Sequence, residues 1–205
     1  MIRQINHLEL LNGNDMVKIF VVDNGGQWTH REWRCLKYLD VETKIVPNTI
    51  SFNELLDEKI DGLILSGGAP RIGLEGKLGN TDEILENADF PILGLCAGHQ
   101  YIARFFGGEA GPAEKAEYGK VELKILKKDQ IFKGVPEKST VWVSHNDEVT
   151  KLPKNFILLA KSKDCEVQAM RHKNKDFYGM QFHPEVEHTE YGEKIFQNFV
   201  KLCKK

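Results

Sequence analysis

Three short apolar runs in the first half of the chain each end at a glycine-bearing break. They are VKIFVVD (Val17 to Asp23) before Gly25-Gly26, GLIL (Gly62 to Leu65) before Ser66-Gly67-Gly68, and ILGL (Ile92 to Leu95) before Cys96-Ala97-Gly98. Uninterrupted apolar runs of this length suit strands buried on both faces, the habit of parallel sheets. The stretches between them are helical in pattern at Thr29 to Leu39 and Thr81 to Asn87, with a shorter piece at Glu54 to Lys59 and a further strand at Thr43 to Val46. Gly73 to Asn80 reads as a glycine-rich surface loop. Such alternation predicts an α/β fold, a three-layer and mostly parallel open sheet with helices on both faces. Ligands of such sheets bind beyond the carboxyl ends of the strands, where SGG and Cys96 both fall.

From Val121 the pattern changes. Val121 to Leu126, Thr140 to Val143, Ile157 to Ala160, Val167 to Arg171 and Phe177 to Phe182 read as strands joined by turns, and Gly192 to Leu202 as a closing helix. The second half is therefore expected to add a smaller antiparallel portion to the same domain. No repeat, low-complexity tract or linker divides the chain, so residues 16–205 are read as one domain. Met16 opens the first strand pattern and is read as the functional start. Residues 1–15 are then an N-terminal extension, either disordered or outside the native start.

Charge and cysteine usage narrow the function. A formal net charge of -2, with the lysines scattered, gives no basic footprint for nucleic acid. No apolar stretch approaches the ~18 residues of a membrane helix, and the first fifteen residues lack the pattern of a secretory signal. Four cysteines (Cys35, Cys96, Cys165, Cys203) stand far apart without a C-x-x-C pair, which fits a reducing cytoplasm and neither a zinc ribbon nor a disulfide framework. The histidines show no ligand spacing, so no metal is expected.

The chemistry gathers at GLCAG, Gly94 to Gly98. This is the spacing of a nucleophile elbow with cysteine in the central place. Two glycines permit a sharp turn that lifts the sulfur above the sheet at a helix N-terminus, where the dipole favours a thiolate. The alternative for this segment alone is a small buried cysteine among packing glycines. A nucleophile needs a base, and the base needs an orienting group. His183 follows a strand, and Pro184 biases it to an extended backbone, in which residues i and i+2 share a face. Glu185 can then hold the imidazole while its other nitrogen faces Cys96; the alternative is a strand-end turn with a solvated His and Glu. The Ala97 N–H is placed to serve as one oxyanion donor and Gly68 as a second. Gln100 opens the following helix, and Ser144, His145, Asn146 and Asp147 (SHND) follow an apolar strand as ordinary turn chemistry. There is no phosphate loop of the G-x-x-x-x-G-K-[ST] kind and no G-x-G-x-x-G after a strand, which argues against ATP or dinucleotide binding by these motifs.

GLCAGHQ, with SGG upstream and FHPE downstream, resembles the triad-type (class I) glutamine amidotransferases. The resemblance runs from Met16 to Lys205. Within that class DNGGQWTHR, SHNDEV and FHPEVEHTEYG resemble the separate amidotransferase subunits of two-subunit, archaeal-type GMP synthetases. The resemblance implies that Cys96 attacks the side-chain amide of L-glutamine, His183 moves the proton and Glu185 orients it. Gly68 and Ala97 would hold the oxyanion, and Gln100 and Ser144 to Asp147 would help seat the substrate. It further implies a separate synthetase subunit carrying ATP, magnesium and XMP, with no cofactor in this chain. Ala97 stands where bulkier residues are common in the family; only its N–H is needed for the oxyanion role. The residues alone leave open an amidotransferase for another ammonia acceptor, a stand-alone hydrolase of γ-glutamyl amides, and a non-enzymatic flavodoxin-like module.

Overall fold

Alternate residues of the first apolar run feed two separate cores. Ile19 and Val21 of β1 (Ile19–Asn24) pack on one face of the sheet, Phe20 and Val22 on the other. The structure, a computed structural model, describes residues 16–204, and the reading of residues 1–15 as an extension lies outside the described residues. After β1 come α1 (Thr29–Tyr38), β2 (Ile45–Pro47), α2 (Phe52–Asp57), β3 (Gly62–Gly68), α3 (Ile72–Glu75), α4 (Thr81–Asn87), β4 (Ile92–Leu95) and α5 (Ala97–Phe105). The second half contributes β5 (Glu109–Ile125), β6 (Lys138–Lys151), β7 (Phe156–Lys161), β8 (Ala169–His172), β9 (Phe177–Met180) and α6 (Gly192–Cys203).

The nine described strands join one sheet in the order β2-β1-β3-β4-β9-β8-β7-β5-β6. The ladders from β2 through β9 are parallel and those from β9 through β6 antiparallel. The expected parallel sheet thus comprises the five strands that carry the site. The second half supplies β9 to it and the antiparallel remainder beyond. Leu36 of α1 and Ile195, Phe196 and Phe199 of α6 cover one face; Leu55 of α2, Leu85 of α4 and Ile102 of α5 cover the other. No described helix is long and apolar enough to cross a membrane.

Three details differ from the sequence reading. The loop at Gly73 to Asn80 begins inside the short helix α3. β5 starts twelve residues before Val121, at Glu109, because its first part is an exposed ribbon paired with β6 across a register shift. Such a ribbon lacks the half-buried alternation that marks a strand in sequence. SHND is not a turn: Ser144 to Asp147 continue β6, with His145 and Asp147 buried and Asn146 exposed, the alternation of a strand.

A 3₁₀ turn at Gln130–Phe132 docks on α6 through Asn198, whose Nδ2 donates to the carbonyls of Ile131 and Lys133, both at 2.9 Å. Asn198→Ala strips two carbonyls of their donor and is expected to lower unfolding free energy by about 1–3 kcal/mol in urea denaturation.

Candidate active site

The β4–β9 ladder sets the distance between the two halves of the site. Leu95 pairs with Met180, and the Cys96 N–H donates to the Met180 carbonyl at 2.8 Å. Cys96 is therefore one step past the end of β4 and His183 three steps past Met180. Cys96 adopts φ 48° and ψ -103°, a left-handed conformation rare for a non-glycine residue. Backbones of this kind cost about 1–3 kcal/mol and persist where surroundings hold them. Here the hold is close packing: a methyl on Gly94 would lie 2.7 Å from the Gly98 carbonyl carbon, and one on Gly98 would collide with the Leu65 carbonyl of β3. The helix starts at Ala97, so its first N–H groups, that of Ala97 among them, have no carbonyl four residues back.

His183 sits on a loop that covers the free edge of β6. Its N–H donates to the Trp142 carbonyl at 2.9 Å, the Trp142 N–H donates to Thr189 Oγ1 at 3.0 Å, and Thr189 Oγ1 donates to the His183 carbonyl at 2.7 Å. Glu190 adds a pair of bonds to Thr140. The far edge of the sheet thus reaches the loop after β9, so the sheet curls. His183 Nδ1 lies 2.7 Å from Glu185 Oε1, as the i, i+2 spacing anticipates. Nε2 is buried with no hydrogen-bond partner. Burial opposes protonation of His183, but the Glu185 charge and the contacts to Cys96 and Glu185 outweigh it and push the imidazole up to about 10. The side chain is held as an imidazolium, ready to give a proton.

The other predicted residues divide. Gly68 ends β3, bridged to Gly25 and paired with Asn24, while Gly67 is the glycine that abuts Cys96 and His183. Gln100 Nε2 donates to the Asp147 carbonyl at 2.7 Å and to Gln181 Oε1 at 3.1 Å, and Gln181 Nε2 lies 3.6 Å from Cys96 Sγ. Gln100 and Asp147 are thereby wired to the nucleophile through Gln181. Asp147 is held by a bidentate Arg71 fork. Ser144 is half-buried on β6, and Asn146 accepts from Tyr118 at 2.6 Å. His145 faces away, into a buried cluster with Glu117 and Cys165 whose ligand-type atoms lie within 4.8 Å of one another. Glu117 already accepts from Ser162 at 2.8 Å and Gln168 at 2.7 Å and lies 3.2 Å from His145 Nε2, so its oxygens are committed to protein partners. His99 also turns inward, beside the Val167 carbonyl, and burial lowers it to about 3.

Three residues of the site escaped the sequence reading. Trp28 packs its ring edge-on against His183 with centroids 4.3 Å apart. Gln181 shares the strand parity of His183, a signal that was available. Glu32 lies with Thr29 and Leu36 on the buried face of α1, at the spacing of a core stripe.

The model of the class-I glutamine amidotransferase family matches residues 20–203. The chain belongs to that family. A glutamine-hydrolyzing GMP synthase subunit from Thermoplasma acidophilum is 51% identical over 189 residues, covering 92% of this chain and 94% of that one. The corresponding GMP synthase subunit of Pyrococcus abyssi is 54% identical over 188 residues, 90% of this chain and 98% of that one. A crystal structure described as that of a putative GMP synthase subunit from Thermoplasma acidophilum superposes with TM-score 0.88 at 50% identity, over 93% of this chain and 96% of that one. A glutamine amidotransferase from Thermotoga maritima, 14% identical, shares the fold alone, at TM-score 0.78 over 94% of this chain and all of that one.

Two outcomes are expected of this amidotransferase site. Gly98→Ala must displace β3 from under the elbow, and glutamine turnover is expected to fall by about 10²-fold, read by a glutamate-release assay. His183 titrates higher in the fold than its ordinary 6.5, so its proton stabilises the fold fully below about 6.5 and that contribution fades as pH rises through about 10. With Glu185→Gln the burial penalty remains and the largest attraction goes, so the imidazole midpoint, followed by NMR, is expected to drop well below about 10.

Proposed function

We propose that this chain is the glutamine-hydrolysing subunit of a two-subunit GMP synthase, with Cys96 as nucleophile. The observation that carries the chemistry is the Cys96 elbow beside an imidazole pinned to Glu185 at 2.7 Å. The extensive identity to glutamine-hydrolyzing subunits of GMP synthases supports the choice of acceptor.

The Cys96 sulfur adds to the amide carbon of glutamine, and the Ala97 N–H, with a second donor from the Gly67-Gly68 end of β3, receives the oxyanion. Each such donor contributes about 10²–10³ in rate. The imidazolium of His183 gives its Nε2 proton to the departing nitrogen, so ammonia leaves and a glutamyl thioester remains on Cys96. Now neutral, His183 takes a proton from water, the hydroxyl adds to the thioester and glutamate leaves; the sum is glutamine plus water to glutamate plus ammonia. Glu185 keeps the ring oriented and favours its charged form throughout. Gln100, Gln181 and the Asp147 segment border the space where the amino acid would sit. Ammonia passes to a separate subunit holding XMP, ATP and magnesium. Four free thiols far apart in the sequence go with a cytoplasmic setting.

The test is reconstitution with the candidate synthetase subunit, XMP, ATP and magnesium, following GMP and glutamate together. GMP is expected from glutamine or from added ammonia. Cys96→Ala is expected to lose the glutamine-driven rate by about 10⁴-fold or more and keep the ammonia-driven one. Glutamate released without GMP would assign the protein to another acceptor, and unchanged glutamine use in Cys96→Ala would remove Cys96 from the chemistry.

A further inference from the structure

Behind the Cys96–His183 pair lies a second carboxyl group that the reaction above does not use. Glu32 is 1% exposed in the middle of α1. Its Oε2 is buried without a hydrogen-bond partner, and among the described residues Glu32 joins no ion pair. Gly67, whose N–H favours the charged form of Glu32, sits at the site itself: a methyl there would stand 3.5 Å from both Cys96 Cβ and His183 Cε1. The same helix sets Trp28 against the His183 ring. An isolated buried carboxylate costs several kcal/mol, and the usual escape is to keep the proton.

The charged and titratable groups around Glu32 come from three elements. The β9–α6 loop brings Glu185 and His183, the β4–α5 elbow brings Cys96, and α1 itself carries Cys35. Burial and then the Glu185 charge raise Glu32 well above the ordinary carboxylate range, and a charged Cys96 adds to this. The imidazolium of His183 and the Gly67 N–H pull the other way. The attraction between Glu32 and His183 is reciprocal, so an ionised Glu32 holds the proton on His183 more firmly.

We propose that Glu32 is a positioning residue of the site, a second and pH-dependent carboxylate partner for His183. It is neutral while His183 holds its proton securely and ionised where His183 would otherwise lose it. In the neutral state it adds no second negative charge beside Glu185 and the Cys96 sulfur. In the ionised state it extends the working range of the acid that expels ammonia. The proposal rests on the assignment of Cys96, His183 and Glu185 above.

The experiment compares wild type, Glu32→Gln and Glu32→Leu in the complex with the synthetase subunit, recording kcat/KM for glutamine against pH. Infrared difference spectra of the full chain with ¹³C-labelled glutamate read Glu32 directly. The expected result is asymmetric. The acid limb stays in place, the alkaline limb moves down by about one pH unit, and a protonated-carboxyl band of wild type, absent from both variants, converts to carboxylate as pH rises. The Leu variant serves if Gln fails to fold, because an apolar side chain suits the buried site. Both limbs moving down together, or a carboxylate band already at neutral pH, would show a permanent charge and overturn the proposal; so would two unmoved limbs. Failure of the triad assignment is read separately, from Cys96→Ala, and leaves the infrared band untouched.

Discussion

The parallel pairing of β4 with β9 is the contact on which the rest depends. Residues about 85 positions apart meet there, and the ladder continues one bond past its last pair, from the Cys96 N–H to the Met180 carbonyl. That bond fixes the height of the sulfur above the sheet relative to the strand that delivers the imidazole. Everything else adjusts around it. Gly94 and Gly98 let the elbow turn within the space between β3 and β4, and the loop after β9 folds back onto β6 to aim His183. Without the register, a well-formed elbow and a well-formed His–Glu pair would be two unrelated surface features.

The energetics of the site are those of charges held away from water. Glu185 and His183 form a buried pair whose worth depends on both members being present. The strained backbone at Cys96 costs further stability, and the cost is met by the packed sheet beneath it rather than by anything local. The exposed salt bridges of the β5–β6 ribbon, such as Lys151 with Glu109, contribute little to that foundation, because water screens them.

Legibility in the sequence follows the range of the forces. The elbow and the His183–Glu185 pair are set by spacings of two to five residues, so they are readable, and α4 and β4 match their sequence readings end to end. The parallel core is readable because its strands are apolar on both faces. The first half of β5 and the SHND segment are not, since an exposed ribbon is strand by virtue of its partner and carries polar residues. Trp28 and Gln181 reach the imidazole and the sulfur only through the pairing of distant strands; strand parity with His183 is the one local signal for Gln181, and Trp28 has none. The amphipathic spacing of α1 does place Glu32 inward; what it meets there is a fact of tertiary structure.

The order of strands along the chain also has a consequence for synthesis. The nucleophile is made well before its base, which arrives only on the loop that follows β9. An incomplete chain on the ribosome, or one truncated before β9, carries a cysteine with neither proton donor nor orienting carboxylate. Such fragments cannot release ammonia, so the cell is spared futile loss of glutamine by half-made copies of the enzyme.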